Sequence, residues 1–361
     1  MPSPGPSPLS TPDPAAGARP AAAGVATGGG MLLAGDIGGT KTVLALVTAE
    51  GGVAVEAVFP SREYASFEAV VAAFRAAHPA AVSRGAFSVA GPVIGGHART
   101  TNLPWYLDER RLAETIGVER VLLVNDLQAT AYAIPHLGEE QVTELLPGTP
   151  DPRGVRAVVA MGTGLGESIL VPDGDGFLAL ASEGGHTDFA PRGPLQRRLL
   201  AHLQRRDEHV SYEHVCSGMG IATLYRFLAE QSPAPPPPWL AARLAAGGDV
   251  TPALVQAGLD RERSCPVCRR MLRLVASILG AEAGNAALRS LATGGVYLGG
   301  GIPPRILPVL RGRAFREGFL RKGRMAELMT RIPVHVILEP RAALLGAARY
   351  GMEKIVLSPE S

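Results

Sequence analysis

Apolar residues in this chain come in short runs that stop at glycines, and two of these runs share a layout. Residues 31–47 read MLLAGDIGGTKTVLALV and residues 157–171 read AVVAMGTGLGESILV. In each, two apolar runs flank a glycine-rich turn, which predicts a β-hairpin. Residues 121–124 (VLLV) predict a buried strand that stops at Asn125 and Asp126, and the short helical pattern that follows ends at Pro135. Phe67, Val70, Val71 and Phe74 are spaced i, i+3, i+4, i+7, the buried stripe of an amphipathic helix. Asp108 reads as the N-cap of another helix, with Leu112 and Ile116 as its inner face and Gly117 as its stop. Further strands are predicted over 85–91, 176–181, 294–302 and 333–338. A long helix is predicted around Met271, Leu272, Val275, Ile278 and Leu279, and a small-residue helix over 340–352. Two similar hairpins about a domain apart, with strands and helices between them, point to two α/β halves facing each other across a nucleotide.

Composition narrows this picture. The 361 residues suffice for two domains, and 46% hydrophobic against 19% charged content allows sizeable cores. The formal net charge is +2 and no Lys/Arg cluster is interleaved with aromatics, which argues against a nucleic-acid surface. Three cysteines make no disulfide framework and suit the reducing cytoplasm. Cys265 and Cys268 form a single CxxC with no partner pair, so reduced thiols are expected rather than a zinc site. No membrane span is expected: residues 20–35 are too short and too weakly apolar. Residues 1–30 are Pro/Ala/Gly-rich and predict a disordered extension, with Met31 as a candidate start. Residues 234–239 (APPPPW) predict a semi-rigid surface loop.

The candidate chemistry gathers where strands end. Asp126 stands between a strand and a helix, where it is either a catalytic base or simply a helix cap. The turn at Gly38, Gly39 and Thr40 can bring backbone N–H groups up to an anion, and Asp36 beside it can hold magnesium through water. This is no Walker loop, because the Gly-Lys-Ser/Thr spacing and the following helix are missing. Gly162 and Gly164 do not make a dinucleotide fingerprint, since a strand follows them. Asn102 lies in a polar turn suited to a hydroxyl. Glu183 and His186 have the Glu-x-x-His spacing of some metal sites, but that needs a helix, and Gly184–Gly185 in the gap disfavours one. A loop is expected there, free to hold a sugar together with Glu213.

Taken in order, Asp36–Ile37–Gly38–Gly39–Thr40, Asn125–Asp126, Gly162–Thr163–Gly164, Glu183–Gly184–Gly185–His186, Glu213 and the glycines of 294–301 resemble the motif series of bacterial ATP-dependent glucokinases, over residues 31–352. The cysteine-rich zinc motif of the related repressor/kinase group is missing. The resemblance implies an actin-like, ribonuclease-H-like α/β fold with a cleft between a small domain (31–136 with 340–361) and a large one (137–339). It implies transfer of the ATP γ-phosphoryl group to O6 of glucose at the entry to glycolysis, by a cytoplasmic homodimer. Asp126 would be the base, and Asn102, Asn125, Asp126, Glu183, His186 and Glu213 would hold the sugar. Gly38, Gly39, Thr40, Lys41, Gly162, Thr163 and Gly164 would hold phosphates, with Asp36 on Mg2+ through water, and Gly299, Gly300 and Gly301 would approach the adenosine. Lys41 departs from the Asn of close relatives. A kinase for another hexose or amino sugar stays open, because discrimination at one hydroxyl depends on fine placement. So does a catalytically silent sugar sensor, although such a protein has no need of Asp126 and both phosphate turns.

Overall fold

The computed structural model describes residues 31–356 apart from 101, 234 and 264; the extension expected over 1–30 lies outside the described residues. The chain divides into two units, Met1–Val124 with Ala347–Ser361, and Asn125–Gly346.

In the first unit the predicted hairpin forms from β1 (Met31–Ile37) and β2 (Lys41–Val47), extended by β3 (Val53–Pro60). Then come α1 (Phe67–Ala77), β4 (Val82–Val89), the short strands β5 (Val93–Ile94), β6 (His97–Arg99) and β7 (Tyr106–Asp108), α2 (Glu109–Ile116) and β8 (Arg120–Asn125). The main sheet runs β3-β2-β1-β4-β8, with β1 and β4 parallel; β5, β6 and β7 make a second, small sheet. Helix α1 buries Phe67, Val70, Val71 and Phe74, the stripe its spacing predicted. Phe67 meets Phe87 edge to face at 4.8 Å between ring centres, the favoured aromatic geometry. Asp108 caps α2 by accepting from Arg111 N at 2.9 Å, and Gly117 ends it in the left-handed region at φ +73°.

The second unit begins with α3 (Asp126–Ala133), β9 (Val142–Leu146), β10 (Arg156–Met161), β11 (Leu165–Asp173) and β12 (Gly176–Ser182). Helices α4 (Gly193–Leu203), α5 (Gly218–Ala229), α6 (Pro238–Ala245), α7 (Thr251–Leu259) and α8 (Pro266–Ser290) follow. Next are β13 (Gly295–Gly299), α9 (Leu307–Leu310), α10 (Arg313–Leu320), α11 (Ala326–Arg331) and β14 (Val334–Ile337); α12 (Ala342–Val356) starts in this unit and from Ala347 onward belongs to the first. The sheet order is β12-β11-β10-β13-β14-β9. Strands β10 to β12 are antiparallel, and β10, β13 and β14 are parallel. This repeats the plan of the first sheet, a glycine hairpin leading into a parallel crossover. Helix α8 is long and apolar enough to cross a membrane, but 78% of its most apolar window is buried inside the unit, as befits a core helix. Cys265 caps it with its sulfur 2.9 Å from that of Cys268, and both thiols are buried and unbridged.

Two details differ from the sequence reading. The division falls before Asn125 rather than after residue 136. Helix α3 lies on β10, β11 and β12, with Leu127 against Gly166 and Gln128 Nε2 donating to Ala179 O at 3.0 Å, and so joins the second unit. Within 234–239, Pro238 and Trp239 open α6 instead of extending a loop. Proline suits the first helical turn, and fully buried Leu240 anchors the helix.

Candidate active site

In the first unit, the β1–β2 turn is fastened from one residue. Ser61 Oγ donates to Gly38 O at 2.8 Å and lies 3.0 Å from Thr42 Oγ1, while Ser61 N donates to Thr40 O at 3.1 Å. Gly39 packs on Asn102: a Cβ there would fall 2.7 Å from Asn102 Cβ. Asn102 itself is exposed on the β6–β7 loop, which Thr100 Oγ1 folds by donating to Leu103 O at 2.8 Å. Asp36 is the last residue but one of β1, next to the turn. Burial pushes its carboxyl above the ordinary aspartate value, opposed by a hydrogen bond from Ser88 Oγ and by the charge of Lys41. Asp36, the Gly38–Lys41 turn and Asn102 thus come together.

At the start of the second unit, strand β8 gives way to helix α3 at Asn125 and Asp126. Asn125 is the cap of α3: its Oδ1 accepts from Leu127 N at 3.0 Å and from Gln128 N at 3.3 Å. Asp126 is the first helical residue. Its Oδ1 accepts from Asn125 Nδ2 and Leu127 N, both at 3.0 Å, and this fixes the plane of the carboxylate. The amide oxygen of Asn125 is thus engaged at the helix start, and its Nδ2 on Asp126.

The second glycine turn, Gly162–Gly164, closes on itself through Gly162 N to Gly164 O at 2.9 Å. Gly218 N, at the start of α5, donates to Gly162 O at 2.8 Å. Gly300, at φ +83°, lies so close to Met161 that a Cβ would fall 2.4 Å from its carbonyl oxygen. Turn, helix start and the β13 glycines therefore converge, and a cavity of about 660 Å³ opens beside them. Gly162, Thr163, Met219, Thr251, Gly301 and Arg305 are among its lining residues. Its size falls in the range of cofactor sites.

The Glu183–His186 segment is a loop carrying a single 3₁₀ turn, Gly184–His186. The two glycines are there for close approach: a Cβ at Gly185 would sit 1.9 Å from Leu165 O. Glu213 N donates to Gly185 O at 2.9 Å, and Glu213 Oε2 accepts from Leu165 N at 2.9 Å, just past the glycine turn. His186 ends 3.8 Å from Glu183 Oε2 and 4.0 Å from Glu213 Oε1. Glu183 and His186 are mostly exposed while Glu213 is only 23% exposed, so the trio presents two carboxylates and an imidazole to solvent.

The chain has known relatives. The family model "Glucokinase" matches residues 33–354. A glucokinase of Synechocystis sp. is 40% identical over 344 residues, covering 88% of this chain and 96% of its own. The chain belongs to the glucokinase family. It is accordingly a kinase, a phosphotransferase. The crystal structure of a glucokinase from an Antarctic psychrotroph is similar with a TM-score of 0.75 at 31% identity, covering 88% of this chain and 98% of that one. A glucokinase of the ROK family from Streptomyces griseus, solved with glucose and AMPPNP, shares the fold: TM-score 0.60, 22% identity, 89% and 99% coverage. The two sheets with their glycine hairpins are those of the actin-like fold of glucokinases. Sequence reasoning missed Met219, Thr251 and Arg305 around the glucokinase-type turn. The one available signal was Ser217–Gly218–Met219–Gly220, a capping serine followed by glycines: Ser217 Oγ accepts from Gly220 N at 3.0 Å and opens α5 beside the turn.

Proposed function

We propose that this chain transfers the γ-phosphoryl group of ATP to O6 of glucose in the cytoplasm, with Asp126 accepting the proton of the hydroxyl. The observation that carries this reading is the capping of α3 by Asn125, which relieves Asp126 of that duty and holds its carboxylate in one orientation. A sugar hydroxyl is a weak nucleophile and must be set in line with the phosphorus and lose its proton late in the transfer. An ionised, oriented carboxylate serves both ends, and its place in the first turn of a helix favours the negative charge.

Glu183, His186 and Glu213 supply acceptors, and an imidazole that can donate, to sugar hydroxyls, with Asn102 as a further amide partner. The two glycine turns serve phosphate oxygens, and the cavity bordered by Gly162, Gly301 and Arg305 serves the rest of the nucleotide. The donor set at Asp36 fits magnesium, which is commonly held by one or two carboxylates together with substrate phosphates. A carboxyl pushed upward by burial gains from a cation that keeps it ionised. When bound, magnesium would offset the negative charge of the phosphates.

The test is ADP release across a panel of sugars. Glucose is expected to give the highest kcat/KM, with no product when magnesium is withheld. Asp126→Asn should keep glucose and ATP binding while kcat falls at least about a hundredfold, as for loss of a general base. Equal use of mannose, fructose or N-acetylated sugars would overturn the substrate, and a D126N enzyme with most of its kcat would overturn the base.

A further inference from the structure

Under the Glu183–His186 turn lies a cluster of buried ionisable groups that the chemistry above does not use. Glu167 reaches in from β11 and Glu282 from α8, with 5% and 0% of their surfaces exposed. Arg289 Nη2 bridges them, donating to Glu282 Oε1 at 2.5 Å and to Glu167 Oε2 at 2.8 Å. Asn285 Nδ2 donates to Glu282 Oε2 at 3.0 Å and to the Tyr212 hydroxyl at 2.9 Å. Lys322 Nζ donates to Asn285 Oδ1 and, at 2.8 Å, to Ala281 O.

Two lines run from this cluster to the sugar side. Glu167 Oε2 presses so closely on Gly184 that a Cβ there would fall 2.0 Å from it. Ser182, opposite Glu167 across the β11–β12 ladder, accepts from Gly184 N at 3.1 Å. On the other line, Tyr212 immediately precedes Glu213, and its N–H donates to Thr187 O at 3.1 Å, tying the Glu213 segment to the end of the glycine turn. Glu183, His186 and Glu213 therefore rest on one buried ionic unit. Stability does not explain such a unit, since apolar replacements of similar volume are often as stable or more so.

We propose that Glu167, Glu282 and Arg289, with Asn285 and Tyr212, are positioning residues that hold Glu183, His186 and Glu213 in the geometry that takes the sugar, and that the protonation of the buried carboxylate pair sets affinity for the acceptor. This rests on the assignment of those three residues to the sugar.

The charge balance gives the mechanism. Burial first, and then the charge of Glu282, push Glu167 up to about 8, so near neutrality Glu167 holds its proton while Arg289 bridges it to Glu282. Loss of that proton puts a further negative charge beneath Gly184, which Glu167 Oε2 already crowds, and the glycine turn is the part that can yield. The groups facing the pair are Arg289 on α8, Tyr212 and Cys216 ahead of α5, and Lys322 after α10 with Arg192 nearby. Tyr212 and Cys216 are held far above their ordinary values and stay neutral. Lys322 is brought down to about 8, mainly by burial and then by the charge of Arg192, so alkaline pH also removes a positive charge.

The experiment measures KM for glucose and for ATP from about pH 7 to about pH 9. In the wild type the glucose KM is expected to rise about tenfold, the titration of one group near 8, while kcat and the ATP KM do not follow that curve. Glu167→Gln, which mimics the protonated acid, should flatten the rise. A flat wild-type profile overturns the proposal without any variant, and so does a Glu167→Gln profile that tracks the wild type. Should Glu167→Gln not fold, Arg289→Lys serves: weaker bridging should move the midpoint to higher pH, and an unmoved midpoint overturns the proposal. Glu183→Gln separates the two levels. If it leaves the glucose KM unchanged, the sugar assignment fails; if it raises the glucose KM while either profile disagrees, only the positioning role fails.

Discussion

In the β1–β2 hairpin the acidic residue stands on the first strand, Asp36 opposite Val43; in the β10–β11 hairpin it stands on the second, Glu167 opposite Val159. The strands, the glycine turns and the parallel crossover after each are otherwise alike. Hydroxyls fasten the first turn, those of Ser61 and Thr42. Backbone and a carboxylate fasten the second, through Gly218 N and Glu213. Behind the first lies an apolar cluster of Phe67, Phe74, Phe87 and Leu112. Behind the second, an apolar cluster that includes Val159, Met161 and Leu165 is joined by the Glu282–Arg289 pair. Asp36, near the end of its strand, stands beside the turn that the proposed function gives to a cation and phosphates. An acid on the second strand of the other hairpin is delivered inward, where it supports a neighbouring loop. The two acids thus differ in strand and in ladder position, and the duties proposed for them differ with it.

The largest effects should come from the fastening of the turns. Gly300→Ala forces a side chain to φ +83° and puts Cβ 2.4 Å from a carbonyl oxygen that belongs to the sheet. A loss of about 3 kcal/mol or more is expected, a fall in Tm of about 6 °C or more. A wild-type melting curve would show the second turn to be as yielding as the first. Asp36→Asn comes next. It should lower kcat about a hundredfold, about 2.7 kcal/mol of barrier, at saturating magnesium, whereas Glu167→Gln should leave kcat within about twofold. Equal losses of kcat in the two variants would erase the distinction between the hairpin acids. Gly39→Ala is milder. Its Cβ meets only the side chain of exposed Asn102, at 2.7 Å, so Tm should hold while the glucose KM rises about threefold to tenfold, the worth of one hydrogen bond. An unmoved KM would remove Asn102 from the sugar.

Much of this was legible in the sequence where local physics decides. The i, i+3, i+4, i+7 stripe of α1, the Asp108 cap, the Gly117 stop and both hairpins are set by neighbours along the chain. So is the convergence of Glu183 and His186, since two glycines force the turn. The choice between Asn125 and Asp126 as cap was not legible, because both types cap helices and only the hydrogen-bond geometry separates them. Glu167 was invisible for another reason. A single acid in an otherwise apolar strand has no period, and its partners Glu282 and Arg289 lie far along the chain on a helix whose apolar residues set the pattern. Helix α6 hid in a proline run whose last member fits a helix start.

The slope of stability against pH separates the two acids most directly. Glu167 has a folded-state pKa of about 8 against an ordinary 4.5, so the folded protein holds this proton more tightly than the unfolded chain does. The group's contribution is fully present below about pH 4.5, declines as pH rises, and is lost above about pH 8. Glutamine does not titrate, so Tm of Glu167→Gln relative to the wild type should climb steadily across that window. Lys322 does not confuse the window. Its pKa is lowered to about 8 from 10.5, so its slope has the opposite sign and acts above about pH 8. Asp36 is also raised by burial and contributes a slope of the same sign as Glu167. The two part company when ATP and magnesium are added: a cation beside Asp36 keeps it ionised and removes its share of the slope, while Glu167, sealed under Gly184, keeps its own. Melting curves of wild type, Asp36→Asn and Glu167→Gln, with and without ATP and magnesium, resolve both shares. If the Glu167→Gln curve runs parallel to the wild type from about pH 5 to about pH 8, Glu167 is ionised throughout and the contrast between the hairpins reduces to position alone.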